Sequence, residues 1–158
     1  MNINQAGLDL IQEFEGLRLE AYQDSNGIWT IGNGHTQGVK EGDTCTKEQA
    51  QQWLAEDCHR AETCIQQSVS YPLTENEFSA LVSFVFNVGP GRKANAHDSG
   101  RDGFVYLRNG EPSTLLKLLN DGRIDECAAQ FGRWVHAGGK IEEGLVKRRQ
   151  AEAQLFEA

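Results

Sequence analysis

The sequence predicts an α+β protein in which a small antiparallel sheet near the N-terminus is followed by helices. Three observations predict it. Residues 3–14 place Ile3, Leu8, Ile11 and Phe14 near helical spacing. Residues 17–38 switch to short alternating pieces broken by Ser25-Asn26-Gly27, Gly32-Asn33-Gly34 and Gln37-Gly38, the pattern of strands joined by tight turns. From Thr46 onward the apolar spacing is mostly helical again.

Each element has its own signal. Asn4 is placed to cap the first helix. Thr46 with Gln49 three residues on reads as a capping box for a helix reaching Gln66, with Ala50, Trp53, Leu54, Ala61 and Ile65 on one face. Thr74 and Glu77 form a second box after Pro72. The helix they open carries Phe78, Leu81, Val82 and Val85 on one side and Phe84, Phe86 and Val88 on another. A helix apolar almost all round is the central, buried one. Gly89-Pro90-Gly91 stops it. Residues 91–112 are polar and glycine-rich with one strand-like piece, Phe104 to Leu107, and predict a long surface loop or a small β-excursion. Ser113 caps a short helix that Gly122 ends, and residues 124–136 predict another. Ala137 to Lys140 read as a flexible break. The last helix runs from about Glu142 to Phe156, with Leu145, Val146, Ala151, Leu155 and Phe156 as its apolar positions.

Composition bounds the function. At 158 residues the chain is expected to form one domain with a sizeable core. No apolar run approaches the ~18 residues of a membrane span, so no stable membrane insertion is expected. The opening residues, MNINQAGLDL, lack the basic and apolar regions of a secretory signal, which predicts a protein made and kept in the cytoplasm until something releases it. Net charge is −8, divided as −9 over residues 1–80 and +1 over residues 81–158. That balance argues against nucleic acid as partner, since phosphate binding relies on neutralisation by Lys and Arg. Cys45, Cys58, Cys64 and Cys127 match no zinc spacing. Cys58 and Cys64 point in nearly opposite directions on one helix, so buried or half-buried thiols are expected. A bridge involving Cys127 stays open for an oxidising compartment. No metal or organic cofactor is called for.

The stretch from Glu15 to Thr36 carries the chemistry. Glu15 closes the first helix in an apolar setting that would favour a protonated carboxyl, as a general acid needs. Asp24, in a turn with Ser25, Asn26 and Gly27, is expected to stay solvated and ionised. Paired carboxyls of that kind suit hydrolysis of a glycosidic bond: one protonates the leaving oxygen while the other manages a water or a developing positive charge. Thr30, on a strand beside Trp29, is placed to bind a water near both. Gly32-Asn33-Gly34 offers backbone that a sugar chain can approach closely. His35 is expected to pair with an acid on the helix starting near Thr46, Asp57 being the best placed, in a structural role.

The string FEGLRLEAYQDSNGIWTIGNGHT resembles the active-site signature of the phage-type lysozymes, the endolysin muramidases of glycoside hydrolase family 24: a Glu, eight residues, an Asp or Cys, five residues, a Thr. Glu15, Asp24 and Thr30 satisfy both spacings. The likeness continues through GDTCT and its helix, PLTENEFSALVSFVFNVGPG, STLLKLLNDG and GRWVHAGGK with GLVKRRQAE. It implies a lysozyme-like fold: a small β-containing lobe at about 15–45, a linking helix at about 46–66, and a helical lobe at about 72–158 packed with helix 3–14, with the cleft between the lobes. Glu15 would be the general acid. Asp24 would stabilise positive charge at the anomeric carbon or position the attacking water, and Thr30 would help hold that water. Phe86 and Asn87 would contact substrate along with Gly32 and Asn33. The family's substrate is peptidoglycan, cut between N-acetylmuramic acid and N-acetylglucosamine.

The resemblance further implies an inverting reaction, with the carboxyls ~6.5–9.5 Å apart to admit a water; about 5 Å would favour a covalent route through Asp24. It implies a monomer that waits in the host cytoplasm, leaves with a membrane-permeabilising partner such as a holin, and acts on the wall in the periplasm. The chain departs from many relatives in Asn33, in the length of Arg92–Glu111 and in its acidic balance. Arg92, Lys93, Arg101 and the Lys147-Arg148-Arg149 cluster are therefore expected to form the patch that meets the wall polymer. A lytic transglycosylase on the same substrate and a non-catalytic wall-binding module are the alternatives.

Overall fold

The computed structural model describes all residues, Met1–Ala158. Helix α1 (Gln5–Glu15) starts where the Asn4 side chain accepts from the Gly7 N–H, and it ends at Gly16. Strands β1 (Arg18–Gln23) and β2 (Trp29–Gly32) pair antiparallel, with Tyr22 opposite Thr30 and Gln23 opposite Trp29. The register slips between Arg18 and Tyr22, and there the chain instead bonds to residues 43–45: Ala21 N–H to the Asp43 carbonyl and Cys45 N–H to the Leu19 carbonyl.

Helix α2 (Lys47–Ser68) begins at Thr46, which accepts from the Gln49 N–H, without a return bond from the Gln49 side chain. Gly32 is the point where the sheet meets this helix. Its backbone sits so close that an added Cβ would stand 3.2 Å from the Ala50 Cβ. Helix α3 (Glu75–Val88) has the full Thr74–Glu77 capping box and buries every residue from Phe78 to Val85. It packs on α1, α2 and the C-terminal helix, and so forms the axis of the core.

Beyond α3 the structure departs from several expectations. Phe104 to Leu107 form no strand. Phe104 is fully buried in the core, and the N–H groups of Val105 and Tyr106 both bond to the Pro90 carbonyl. The 91–112 excursion is an ordered loop folded back onto the end of α3. Its only ladder pairings are isolated ones, Arg92 with Arg101 and Asn95 with Asp98. Helix α4 (Thr114–Asn120) follows its Ser113 cap. The helix expected over 124–136 is instead a 3₁₀ turn, Ile124–Glu126, and a single α turn, α5 (Ala128–Phe131). Phe131 and Trp134 both turn onto the Phe84 ring, at 5.3 and 5.7 Å between centroids, and that packing stops the helix. Ala137 to Lys140 do not form a loose break: they close a hairpin of β3 (His136–Ala137) and β4 (Lys140–Ile141).

Helix α6 (Glu143–Glu157) corrects the reading of the C-terminus. Its buried residues are Arg148, Arg149, Glu152 and Phe156, while Leu145, Val146, Ala151 and Leu155 are only half-buried. Arg148 and Arg149 are 3% and 1% exposed, so they cannot belong to a surface patch that meets a polymer. Their burial is balanced by carboxylates, Glu152 for both and Glu15 for Arg148. Both bind Glu152, itself 0% exposed, and hydrogen-bonded pairing is the condition on which charges enter a core. Arg92 is exposed but tied to Asp98, at 2.6 Å. All four cysteines are free thiols.

Candidate active site

Glu15 occupies the last position of α1, and the left-handed Gly16 (φ +68°) turns the chain away after it. Its Oε2 accepts a 2.5 Å hydrogen bond from Arg148 Nη1. Its other oxygen lies over Gly34: a Cβ there would stand 2.5 Å from Oε1, and the Gly34 backbone is itself left-handed at φ +80°. Helix α6 thus holds the carboxyl on one side and the 32–35 turn on the other. The apolar setting expected from the sequence is thus replaced by a charged hydrogen bond.

Arg148 is fixed in turn. Its Nε donates to Glu152 Oε2 and its Nη2 to the carbonyl of Ser83. The Ser83 hydroxyl donates to Glu152 Oε2 at 2.6 Å. Arg149 donates to Glu152 Oε1, to the Trp134 carbonyl and to Asn87 Oδ1. Burial pushes the Arg149 guanidinium down from its ordinary value, with Glu152 opposing. Two arginines and two carboxyls therefore share one buried cluster, which Glu15 alone leaves toward the surface.

Asp24 sits in the β1–β2 turn. Its Oδ1 accepts from the N–H groups of Asn26 and Ile28, at 2.8 and 2.9 Å, which fixes the carboxyl and leaves Oδ2 without a protein donor. Thr30 is buried on β2, and its hydroxyl donates to the Ile28 carbonyl at 2.9 Å. Its proton is thus committed, and only its lone pairs remain for a ligand. Tyr22 connects these groups. It faces Thr30 across the ladder, and the charges of both Glu15 and Asp24 reach its phenol.

The remaining candidates serve the frame. Asn33 is buried, and its Nδ2 donates to the Gly16 carbonyl at 2.5 Å, clamping the turn beneath Glu15 to the end of α1. Gly32 faces Ala50 on α2. His35 Nδ1 lies 2.8 Å from Asp57 Oδ2, and its ring stacks on Trp53 at 4.5 Å. The His35 and Ile31 backbones exchange two 2.9 Å bonds, which close the tight turn carrying Gly34. Phe86 and Asn87 are half-buried at the end of α3, and the Asn87 carbonyl oxygen is already taken by Arg149. No three His, Cys, Asp or Glu side chains are grouped to hold a metal ion.

Arg148 and Glu152 are the residues that sequence reasoning placed wrongly or missed. The only signal for them was the Arg-Arg-x-x-Glu spacing, which on an exposed helix reads as an ordinary i,i+3 and i,i+4 pair.

Comparison with known proteins gives the chain a family. The family model for phage lysozyme matches residues 12–152. The endolysin of Acyrthosiphon pisum secondary endosymbiont phage 1 is 40% identical over 162 residues, covering 100% of this chain and 99% of that one. The endolysin of Bacillus phage PZA is 38% identical over 99% of this chain, which spans only 55% of that protein's length. Among solved structures, the muramidase domain of SpmX from Asticaccaulis excentricus superposes with a TM-score of 0.77 at 34% identity, over 99% of this chain and 98% of that one. With a carboxyl pair and threonine at the signature spacing, a matching fold and full-length relatives, the chain belongs to the phage lysozyme family, whose members are glycoside hydrolases of the lysozyme type.

Proposed function

We propose that the chain is an endolysin that hydrolyses the β-1,4 bond between N-acetylmuramic acid and N-acetylglucosamine in peptidoglycan, with Glu15, Asp24 and Thr30 at the reacting centre. The observation that supports this reading is that Tyr22 stands directly across the ladder from Thr30 while the charges of Glu15 and Asp24 both raise its phenol. The substrate would lie in a groove between a small lobe at about 15–45 and the helical lobe, with helix α2 joining the two.

The hydrogen bonds support one division of roles. Arg148 occupies Oε2 of Glu15, so the transferable proton belongs on Oε1 and passes to the bridging oxygen. The Thr30 hydroxyl, which donates its hydrogen bond to the Ile28 carbonyl, accepts a hydrogen bond from the attacking water, and the Asp24 carboxylate accepts the other and takes that proton as the water attacks. That leaves the water's lone pair directed at the anomeric carbon, the arrangement of an inverting hydrolase. Gly32 and Asn33 shape the floor, and Phe86 and Asn87 border the sugar from the α3 end.

No helix is long and apolar enough to cross a membrane. By likeness to the endolysins, passage from the host cytoplasm to the wall would fall to a holin-type partner.

Clearing of permeabilised Gram-negative cells by the wild-type protein, and its loss in Glu15→Gln with retained sedimentation on isolated peptidoglycan, is the expected result. Released fragments should end in reducing muramic acid; 1,6-anhydro ends would make the enzyme a transglycosylase. An active Glu15→Gln variant overturns the assignment.

A further inference from the structure

We propose that Tyr22 is a further substrate-contacting residue of this site, its hydroxyl donating a hydrogen bond to the sugar ring whose glycosidic bond is cleaved. The inference rests on the reading of Glu15, Asp24 and Thr30 given above. It adds a residue that the Glu-Asp-Thr spacing does not contain.

Position comes first. Tyr22 pairs with Thr30 in the β1–β2 ladder. Side chains directly opposite one another stand on the same face, about 4.5–5.5 Å apart at Cβ. Asp24 follows in the β1–β2 turn, where the Asn26 and Ile28 N–H groups hold its carboxyl. The Glu15 charge reaches the phenol from the end of α1. Tyr22 therefore stands opposite Thr30 and next to the turn that carries Asp24, within reach of the Glu15 charge.

Orientation is fixed from behind. The Arg18 guanidinium carbon lies 4.2 Å from the centre of the Tyr22 ring, a cation–π contact that holds the ring without using its hydroxyl. No hydrogen bond within the protein engages that hydroxyl; the forces acting on it are burial and charge alone. A half-buried phenol usually finds a partner for its O–H. Here the hydroxyl reaches solvent and is free to exchange a water for a sugar oxygen.

The chemistry of the hydroxyl suits that partner. Burial, then the Glu15 charge, then that of Asp24 push the phenol above its ordinary value, with Arg18 opposing. Tyr22 therefore stays neutral through the physiological range and keeps its proton to donate. A sugar ring offers hydroxyl and amide oxygens as acceptors. A neutral donor can bind them without adding a third negative charge to the site.

Tyr22→Phe removes only the oxygen and preserves the ring over Arg18. Steady-state kinetics on a soluble peptidoglycan oligosaccharide, with thermal unfolding of each protein, separates the possibilities. We expect kcat/KM to fall about tenfold or more with the unfolding midpoint unchanged. A contact that tightens in the transition state lowers kcat, and one present throughout raises KM. Wild-type kcat and KM in Tyr22→Phe would overturn the proposal. So would an activity loss matched by a lowered midpoint and restored on cooling, which marks a structural tyrosine. Wild-type protein and Glu15→Gln run beside it keep the two readings apart. An inactive wild type or an active Glu15→Gln sinks the assigned centre, whereas an active wild type with an equally active Tyr22→Phe sinks only this inference.

Discussion

Gly34 lies directly beneath the carboxyl of Glu15. A Cβ at position 34 would sit 2.5 Å from Oε1 and 2.7 Å from Cδ, and the backbone there is left-handed at φ +80°. Both facts act in one direction. A left-handed alanine costs about 1–2 kcal/mol by backbone strain alone, and its methyl would displace the carboxyl from its place beside Arg148. Gly34→Ala is expected to lower kcat at least about tenfold, since misplacing a proton donor by an ångström has that order of effect. The comparison is Gly38→Ala, equally left-handed but with nothing within 4 Å of the added methyl. Similar destabilisation of both with lost turnover in Gly34→Ala alone is the expected pattern, read from initial rates and urea midpoints. Equal rates in the two variants would sink it.

Arg148 has two duties that a double variant can separate. It holds Glu15 Oε2, and it neutralises Glu152 in the core. Arg148→Met keeps the bulk and removes both bonds. Breaking a buried pair by deleting one partner costs about 3–5 kcal/mol, and the low end is expected here because Glu152 retains Arg149 and Ser83. Turnover should fall as well, because Glu15 loses its anchor. Adding Glu152→Gln takes from Arg149 its buried carboxylate as well, so stability should fall further while the rate drops no more. Full activity in Arg148→Met would show that Glu15 does not depend on this contact.

The difference between what was and was not legible follows from how far each determinant reaches along the chain. Asn4, Thr46, Thr74 and Ser113 each open a helix because capping involves residues two or three apart, and all four could be read directly. The sheet was visible in its turn residues for the same reason. Glu15, Asp24 and Thr30 belong to one short stretch, so their spacing was visible too. Arg148 reaches Glu15 across 133 positions, and no periodicity encodes that. Hydrophobic pattern also misled at α6, because ion pairing rather than an apolar stripe buries its inner face. At residues 104–107 the apolar pattern suggested a strand, but Phe104 is there to plug the core.

Cys58 should make the fold sensitive to alkali. Burial, then the charges of Glu62 and Asp57, raise its thiol from 9.0 to about 12, with Arg148 opposing. Between those values the unfolded chain gives up a proton that the folded one keeps. Stability is therefore whole below about pH 9 and declines as pH climbs toward 12. Cys127, raised to about 11, adds to the same decline. Cys58→Ala should lose stability at pH 7.5 through the cavity it leaves. Its deficit against wild type should narrow at pH 10.5, measured by urea unfolding. A deficit that stays constant with pH would contradict the buried-thiol account.

The 91–112 excursion is pinned at a contact between two glycines. Gly91, left-handed at φ +79°, and Gly103 approach so closely that a Cβ on Gly103 would meet the Gly91 backbone and stand 2.5 Å from the Pro90 carbonyl carbon. Around that contact Phe104 N–H bonds to the Gly89 carbonyl, Gly103 N–H to the Tyr106 carbonyl, and Ser113 Oγ to the Phe104 carbonyl. Gly103→Ala must push these backbones apart. Overpacking of that kind costs about 1–3 kcal/mol, and it should free the loop from the end of α3, where Phe86 and Asn87 sit. Trypsin should then cut the variant after Arg92, Lys93, Arg101 or Arg108 far faster than it cuts wild type. Gly132→Ala is the control: its φ is −64° and its added methyl meets nothing within 4 Å, so it should be neutral or stabilise by about 0.4–1 kcal/mol. If Gly103→Ala resists trypsin as well as Gly132→Ala does, the loop is held by something other than this glycine pair.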